Sequence, residues 1–211
     1  MRRFSVLLVM LAGLAGLLAA PLLAAQPFTV VALGDSLSAG YGLGSGDGFT
    51  DRLEARLKAD GFDVTVVNAG VSGDTTKGGL ARLDWSVPDG TSLVILELGA
   101  NDALRGIAPA ETRTNLDAML TRLKERGIPV LLAGMIAPPN MGEDYGRQFN
   151  PIYAELAQKH DVALYPFFLD GVAGEANLNQ ADGMHPNAEG IGVIVERIAP
   201  QVGQMLSAMK P

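Results

Sequence analysis

The sequence contains no cysteine and only two histidines among its 211 residues. The absence of thiols excludes a disulfide scaffold, a thiolate metal site and a cysteine nucleophile. With His160 and His185 as the two imidazoles, a site built from several histidines is not expected. We therefore expect neither a thiolate metal site nor a multi-histidine one.

Positive charge is also scarce, because 16 lysines and arginines stand against 23 acidic residues, a net charge of −7. An acidic surface binds nucleic acid poorly, since affinity for the phosphate backbone depends on lysine and arginine. It also has no electrostatic attraction to anionic membranes. We expect a monomer that acts on a small molecule, with no nucleic-acid partner and no stable membrane partner.

Several nucleotide, metal and nucleophile motifs are missing. The glycine-rich loop at 40–48 does not contain Gly-x-Gly-x-x-Gly, and no Gly-Lys-Ser/Thr phosphate loop or His-Glu-x-x-His helix exists. The nucleophile elbow Gly-x-Ser-x-Gly is absent as well, because the sequence that starts at Gly34 ends in Ser38. These absences exclude the common sequence signatures of dinucleotide, nucleoside triphosphate and zinc-protease sites.

Residues 1–25 have the pattern of a secretory signal peptide. Arg2 and Arg3 precede an almost wholly apolar stretch at 6–23, and Ala24-Ala25 precede Gln26. We predict cleavage after Ala25, a periplasmic or secreted protein, and one domain over 26–211. Cleavage would leave 14 basic and 23 acidic residues, a net charge of −9. The alternative is a retained membrane anchor, because roughly 20 apolar residues can span a bilayer.

The remaining chain alternates β-favouring apolar runs with helical patterns. This alternation predicts an α/β fold in which right-handed crossovers build a parallel sheet covered on both faces. The predicted strands lie at 28–33, 64–67, 93–98, 130–133 and 162–165, and the predicted helices lie near 49–59, 75–83, 109–126, 151–159 and 188–208. Ligands of such sheets bind beyond the carboxyl ends of the strands, so the segments that follow the strands are the candidates for a site.

Ser36 follows the first predicted strand directly and is the candidate nucleophile. Ser72, in the segment after the second strand, is the alternative. A serine nucleophile needs a nearby base, an acid that orients the base, and donors for an oxyanion. The sequence can therefore be searched for these three partners.

The candidate base is His185, which lies in the long loop before the last helix. Asp182 precedes it by three residues, a spacing that can place both side chains on one helical turn. His160 ends a predicted helix, where a histidine is favourable for the helix dipole alone. Gly73, Asn101 and the N–H of Ser36 are the candidate oxyanion donors. Gly73 and Asn101 could equally be ordinary turn residues.

Four short blocks resemble those of the SGNH (GDSL-type) hydrolases, in the family's order and over the whole mature chain. The blocks are Gly34-Asp35-Ser36-Leu37-Ser38, Ser72-Gly73-Asp74-Thr75, Gly99-Ala100-Asn101-Asp102 and Asp182-Gly183-Met184-His185-Pro186. The chain is most similar to the secreted bacterial branch of thioesterases, lysophospholipases and arylesterases. This resemblance implies a three-layer α/β/α flavodoxin-like fold with a five-stranded parallel sheet, and a reaction that uses neither a metal nor a cofactor.

The resemblance also implies roles for single residues. Ser36 would be the nucleophile, His185 the base and Asp182 the orienting acid, while Ser36, Gly73 and Asn101 would form the oxyanion hole. The substrate would be a small-molecule ester: an aryl ester, an acyl-CoA thioester or a lysophospholipid.

Three apolar residues near the predicted site are candidates for contact with the acyl or aryl group: Ile107, Ile136 and Met141. Ala100 and Met141 depart from the family, whose members often have glycine and an aromatic residue there, and both departures would affect acyl fit. Two rival functions stay open, a carbohydrate O-deacetylase of the same family and a non-catalytic flavodoxin-like binding domain.

Overall fold

Five parallel strands form one sheet in the computed structural model, which describes residues 27–209. The strands are β1 (Phe28–Gly34), β2 (Val64–Gly70), β3 (Leu93–Glu97), β4 (Val130–Ala133) and β5 (Ala163–Tyr165). Their order across the sheet is β2-β1-β3-β4-β5, and every neighbouring pair is parallel. The predicted three-layer fold is confirmed. The predicted signal peptide, residues 1–25, lies outside the described residues.

Eight α-helices join or follow the strands in the described part of the chain. They are α1 (Ser36–Ala39), α2 (Phe49–Ala59), α3 (Thr76–Ser86), α4 (Ala100–Leu104), α5 (Pro109–Glu125), α6 (Glu143–Phe149), α7 (Ile152–His160) and α8 (Ala188–Ala208). Helix α2 packs against α8, and α5 packs between α3 and α7. Right-handed crossovers place these two groups on opposite faces of the sheet.

The core lies on both faces of the central strands. Val30, Val31, Ala32 and Leu33 of β1 are completely buried. A parallel strand covered by helices on both faces has no solvent side, which explains why β1 is continuously apolar rather than alternating. On α5 the buried apolar positions are Leu116, Met119, Leu120 and Leu123, so the apolar stripe predicted for this helix faces the core.

Three short helices were not predicted from the sequence. Helices α1 and α4 contain four and five residues, and α6 contains seven. Elements this short have too few turns to produce a helical period in the sequence. Strand β2 is also longer than predicted, because residues 68–70 continue the parallel pairing with β1 as far as Gly34.

Candidate active site

Ser36 is the first residue of α1, directly beyond the end of β1. Asp35 is the N-cap of this helix, and its Oδ1 accepts a hydrogen bond from the backbone N–H of Leu37 at 3.0 Å. An aspartate N-cap satisfies a helix N–H that otherwise has no partner. The cap fixes the turn from strand to helix, and Ser36 lines a cavity of about 630 Å³ there.

Ser36, His185 and Asp182 form a continuous chain of hydrogen bonds. His185 Nε2 lies 2.9 Å from Ser36 Oγ, and His185 Nδ1 lies 2.6 Å from Asp182 Oδ2. Because the Asp182 carboxylate can only accept, Nδ1 of the neutral ring carries the proton and Nε2 is free to accept from the serine hydroxyl. The structure thus brings together the three residues that the sequence predicts as nucleophile, base and acid.

Asp182 and His185 lie in a non-helical turn rather than on the helical turn suggested by their spacing. Asp182 Oδ1 accepts hydrogen bonds from the backbone N–H groups of His185 at 3.0 Å and Met184 at 2.9 Å. These two bonds, with the bond from the His185 ring, lower the pKa of Asp182 to about 2. The carboxylate is therefore ionised throughout the neutral range.

The loop that carries His185 is fastened at both ends and to the Ser36 side of the cavity. Asn179 and Pro186 form an antiparallel bridge, and the N–H of Gln180 donates to the carbonyl of His185 at 2.7 Å. The Gln180 side chain donates to the carbonyl of Tyr41 at 2.8 Å. The Tyr41 ring in turn contacts the imidazole of His185, with ring centroids 4.6 Å apart. Sequence patterns gave no signal for Tyr41 or Gln180, because neither belongs to one of the four blocks.

The three predicted oxyanion donors, Ser36, Gly73 and Asn101, all line the cavity. The N–H groups of Ser36 and Gly73 have no acceptor within residues 27–209. Gly73 has φ of +80°, which glycine adopts without steric cost, and its carbonyl accepts from Arg105 at 2.6 Å. Asn101, in the first turn of α4, donates one amide N–H to Asp35 Oδ2 at 2.9 Å.

A buried pair of acids lies beneath Ser36. Asp35 and Glu97 are both completely buried, and Glu97 Oε2 accepts from the Ser38 hydroxyl at 2.7 Å and from the Asp35 N–H at 3.3 Å. Glu97 Oε1 has no partner in the described part of the chain. Burial raises the pKa of Asp35 to about 6, and burial together with the Asp35 charge raises the pKa of Glu97 well above its ordinary value.

The cavity is lined mainly by apolar groups. Its apolar side chains include Leu37, Leu104, Met135, Ile136, Phe167, Leu169 and Met184. Ile136, a candidate for contact with an acyl group, is half exposed at this surface.

The structure does not place Ile107 and Met141 among the lining residues. The Ile107 carbonyl instead accepts from the Tyr145 hydroxyl at 2.7 Å, and the Met141 side chain lies near Gly106. The prediction that Ile107 and Met141 lie where they can contact the acyl or aryl group is therefore corrected.

The alternative residues do not join the hydrogen-bond chain. Ser72 lines the cavity, but no hydrogen bond links it to His185 within residues 27–209. His160 is buried at the end of α7, and its Nε2 lies 2.5 Å from Asp117 Oδ1 of α5. His160 therefore has the structural role that the sequence suggested.

A family model described as the GDSL-like Lipase/Acylhydrolase family matches residues 32–191. This match runs from β1 to the start of α8 and includes every residue of the candidate site. The chain belongs to the GDSL-like lipase/acylhydrolase family. The resemblance inferred from the four blocks is thereby confirmed.

Members of this family with curated names are similar to the chain over most of its length. Esterase TesA of Pseudomonas aeruginosa is 42% identical over 92% of this chain and 98% of its own. An arylesterase of Vibrio mimicus is 41% identical over 82% of this chain and 87% of its own. Thioesterase 1/protease 1/lysophospholipase L1 of Escherichia coli is 36% identical over 87% and 88%. The chain is an ester hydrolase, so the rival prediction of a non-catalytic binding domain is wrong.

A solved family structure has the same fold. The crystal structure of TesA superposes with a TM-score of 0.79, at 42% sequence identity, and covers 84% of this chain and 99% of that one. In residues 27–209 we find no helix with the length and apolarity needed to span a bilayer.

Proposed function

We propose that this esterase works through a serine nucleophile and a covalent acyl-enzyme. Ser36 Oγ attacks the ester carbonyl carbon while its proton passes to His185 Nε2. Asp182 holds the ring and stabilises the imidazolium that results. The new oxyanion accepts hydrogen bonds from the N–H groups of Ser36 and Gly73 and from the Asn101 amide.

Collapse of the tetrahedral intermediate breaks the bond to the leaving alcohol or thiol, which takes the proton from His185. The acyl group then remains on Ser36. Water attacks this acyl-enzyme, gives a proton to His185, and the acid product leaves as the proton returns to Ser36 Oγ. Each residue thus ends the cycle in its starting protonation state.

The observation that carries this proposal is the unbroken chain from Ser36 Oγ through His185 to Asp182, with contacts of 2.9 and 2.6 Å at the wall of an apolar cavity. An apolar cavity suits an acyl or aryl group better than a sugar. Aryl esters, acyl-CoA thioesters and lysophospholipids are the substrates we propose, in agreement with the names of the arylesterase and thioesterase relatives. Ile136 would contact the acyl chain.

The Ser36→Ala variant tests the nucleophile, with p-nitrophenyl butyrate as substrate and a fluorophosphonate probe as the covalent label. We expect the variant to lose about 10³-fold or more of kcat and to resist labelling, because the attacking oxygen is gone. Ser72→Ala is the matched control and should keep its activity and label normally. Substantial activity of Ser36→Ala would overturn the proposal. Activity confined to acetylated sugars would instead favour the carbohydrate O-deacetylase.

We also propose that the protein is exported, with cleavage of the signal peptide after Ala25, and that residues 26–211 form a monomeric single domain. The support is the sequence of residues 1–25, with Arg2 and Arg3 before the apolar stretch. N-terminal sequencing of the protein from a periplasmic extract should begin at Gln26. Recovery of the full-length chain in the membrane fraction would instead indicate a retained anchor.

A further inference from the structure

Arg105 is the one arginine among residues 27–209 that has no carboxylate partner. Every other arginine in this part of the chain lies within ion-pair distance of an aspartate or a glutamate. Such pairing is expected in a chain with 23 acidic residues against 16 basic ones. Arg105 is exposed to solvent, and no acidic side chain in the described structure neutralises its charge.

The guanidinium of Arg105 is nevertheless held in one place. Arg105 is the C-cap of α4, and its Nη2 donates to the Gly73 carbonyl at 2.6 Å. A Cβ at Gly73 would lie 3.5 Å from the same nitrogen. This bond uses one of the guanidinium's N–H donors, and the others have no acceptor within residues 27–209. A fixed cation with free donors in a planar fork is suited to bind an oxyanion.

This cation lies at the rim of the active-site cavity. Arg105 is hydrogen-bonded to Gly73 and follows Leu104 in the chain, and both of these residues line the cavity together with Ser36. Arg105 is not itself a lining residue, and among residues 27–209 no lysine or arginine lines the cavity. An acyl group would therefore fill the cavity, while an anionic group of the same substrate would meet Arg105 outside it.

The contact with Gly73 also limits how far this anionic group can lie from the ester. The N–H of Gly73 is a proposed oxyanion donor and its carbonyl binds Arg105, so the guanidinium lies at most about 10 Å from the reacting carbonyl. In a lysophospholipid, glycerol joins the ester to the phosphate through a few bonds. In an acyl-CoA, the long pantetheine arm separates the thioester from the phosphates. The position of Arg105 thus fits the phosphate of a lysophospholipid.

We propose that Arg105 is a specificity-determining residue that binds the phosphate of the leaving group in lysophospholipid substrates. This inference rests on the proposed function, because it places the reacting carbonyl beside Gly73. The phosphate would accept charge-assisted hydrogen bonds from the free N–H groups of the guanidinium. Since the phosphate takes no part in the reaction, the contact is equally strong in the ground state and the transition state. Its loss should therefore raise KM more than it lowers kcat.

The test compares two soluble esters that differ only in the phosphate, 1-octanoylglycerol 3-phosphate and 1-octanoylglycerol. The ratio of their kcat/KM values measures what the phosphate contributes, because the acyl group and the ester bond are the same. Arg105→Gln should lower this ratio by about 5- to 20-fold, through a higher KM for the phosphate ester. Arg105→Lys keeps the charge and should lower the ratio by less than about 3-fold.

Arg122→Gln is the matched control, because it removes the same charge from an exposed ion pair with Asp84 near the end of α5. This variant should leave the ratio unchanged. If Arg105 acted only by holding Gly73, Arg105→Gln would lower kcat equally for both esters and leave the ratio unchanged, which would overturn the proposal. A higher KM for octanoyl-CoA alone would also overturn it and assign Arg105 to the phosphates of coenzyme A.

A measurement on the unsubstituted protein keeps the test open if Arg105→Gln does not fold. The ratio for the two esters should fall as sodium chloride rises from about 20 to about 500 mM, because salt screens an exposed charge pair. A ratio independent of salt would contradict the proposal. Failure of the proposed function is recognised separately, because Ser36→Ala would then keep its activity on both esters, whatever the outcome at Arg105.

Discussion

Asp182 accepts three hydrogen bonds, two from the backbone N–H groups of Met184 and His185 and one from the His185 ring. Such a carboxylate does more than balance charge. It closes the turn that holds the histidine and selects the tautomer in which Nε2 can accept the Ser36 proton. A single acid in sequence thus controls both the shape of its loop and the protonation pattern of its neighbour.

Asp182→Asn should lower kcat by about 10²- to 10⁴-fold, because an amide cannot accept all three bonds and its NH₂ group would favour the wrong tautomer of His185. The measurement is kcat for p-nitrophenyl butyrate at neutral pH. Asp60→Asn, at an exposed ion pair with Arg56 on α2, is the matched control and should leave kcat unchanged. A loss of less than about 3-fold at Asp182 would mean that the histidine does not need this partner.

Tyr41 also helps to hold the His185 ring in its position. Its ring packs on the imidazole of His185, and its exposed face borders the cavity. Tyr41→Ala should lower kcat by about 10-fold, since the ring loses its packing partner, whereas Tyr41→Phe should keep most of the activity. Leu104 lines the same cavity but has no ring contact with His185. The control variant Leu104→Ala should therefore change KM more than kcat. Equal losses in Tyr41→Phe and Tyr41→Ala would contradict this role.

At the scale of elements, the site is built from short pieces joined to long ones. Strand β1 has seven residues and helix α8 has 21, while Ser36 and Asn101 lie on the four- and five-residue helices α1 and α4. Helices this short are not stable alone, so their geometry comes from the strand ends and caps to which they are attached. The loop with Asp182 and His185 is similarly held between its antiparallel bridge and the start of α8.

Two glycines at the start of α8 test this attachment. A Cβ at Gly190 would lie 2.2 Å from the carbonyl oxygen of Leu178, while a Cβ at Gly192 has no neighbour within 4 Å. Gly190→Ala should therefore destabilise the fold by about 1–3 kcal/mol and disturb the histidine loop. Gly192→Ala should stabilise it by about 0.5–1 kcal/mol, because alanine favours a helix interior.

Denaturant unfolding of both variants distinguishes the steric effect expected at Gly190 from the gain in helix propensity expected at Gly192. The kcat of each variant is measured in parallel. The glycines are two residues apart on one helix, so a difference in helix propensity alone cannot separate them. Equal stabilities would show that the contact with Leu178 relaxes without cost.

At the scale of the whole molecule, the buried acids make stability depend on pH. The pKa values of Asp35 and Glu97 are raised in the folded protein, so between the unfolded and folded values the native state holds more protons than the unfolded chain. Stability from this pair is therefore greatest at low pH and declines as pH rises above about 4, by at most about 1.4 kcal/mol per pH unit for each group.

Glu97→Gln should remove the part of this decline that Glu97 contributes. The amide stays neutral at every pH, so the stability of the variant relative to the wild type should increase from pH 4.5 upward. Urea unfolding at several values between pH 4.5 and 8 measures the difference in slope. A constant difference between variant and wild type over this range would show that Glu97 does not titrate on unfolding.

Much of the site could be predicted because the sheet is parallel. Residues after successive parallel strands must meet at one edge, so the segments that follow β1, β2 and β3 and the loop before α8 could be assigned to the same site. Ser36, Gly73, Asn101 and His185 do line one cavity. The prediction was wrong for Ile107 and Met141, since nearness to an edge in sequence does not determine on which side of a short helix the chain continues.

The sequence by itself determined the alternation of strands and helices, the candidates for nucleophile, base and acid, and membership of the family. These features depend on local periodicity and on short blocks whose spacing is visible along the chain. The tertiary structure decided which side chains line the cavity and which hydrogen bonds they make there. The contacts of Asp35 with Asn101, and of Tyr41 with His185, join residues 66 and 144 positions apart, and such contacts depend on packing that no local pattern records.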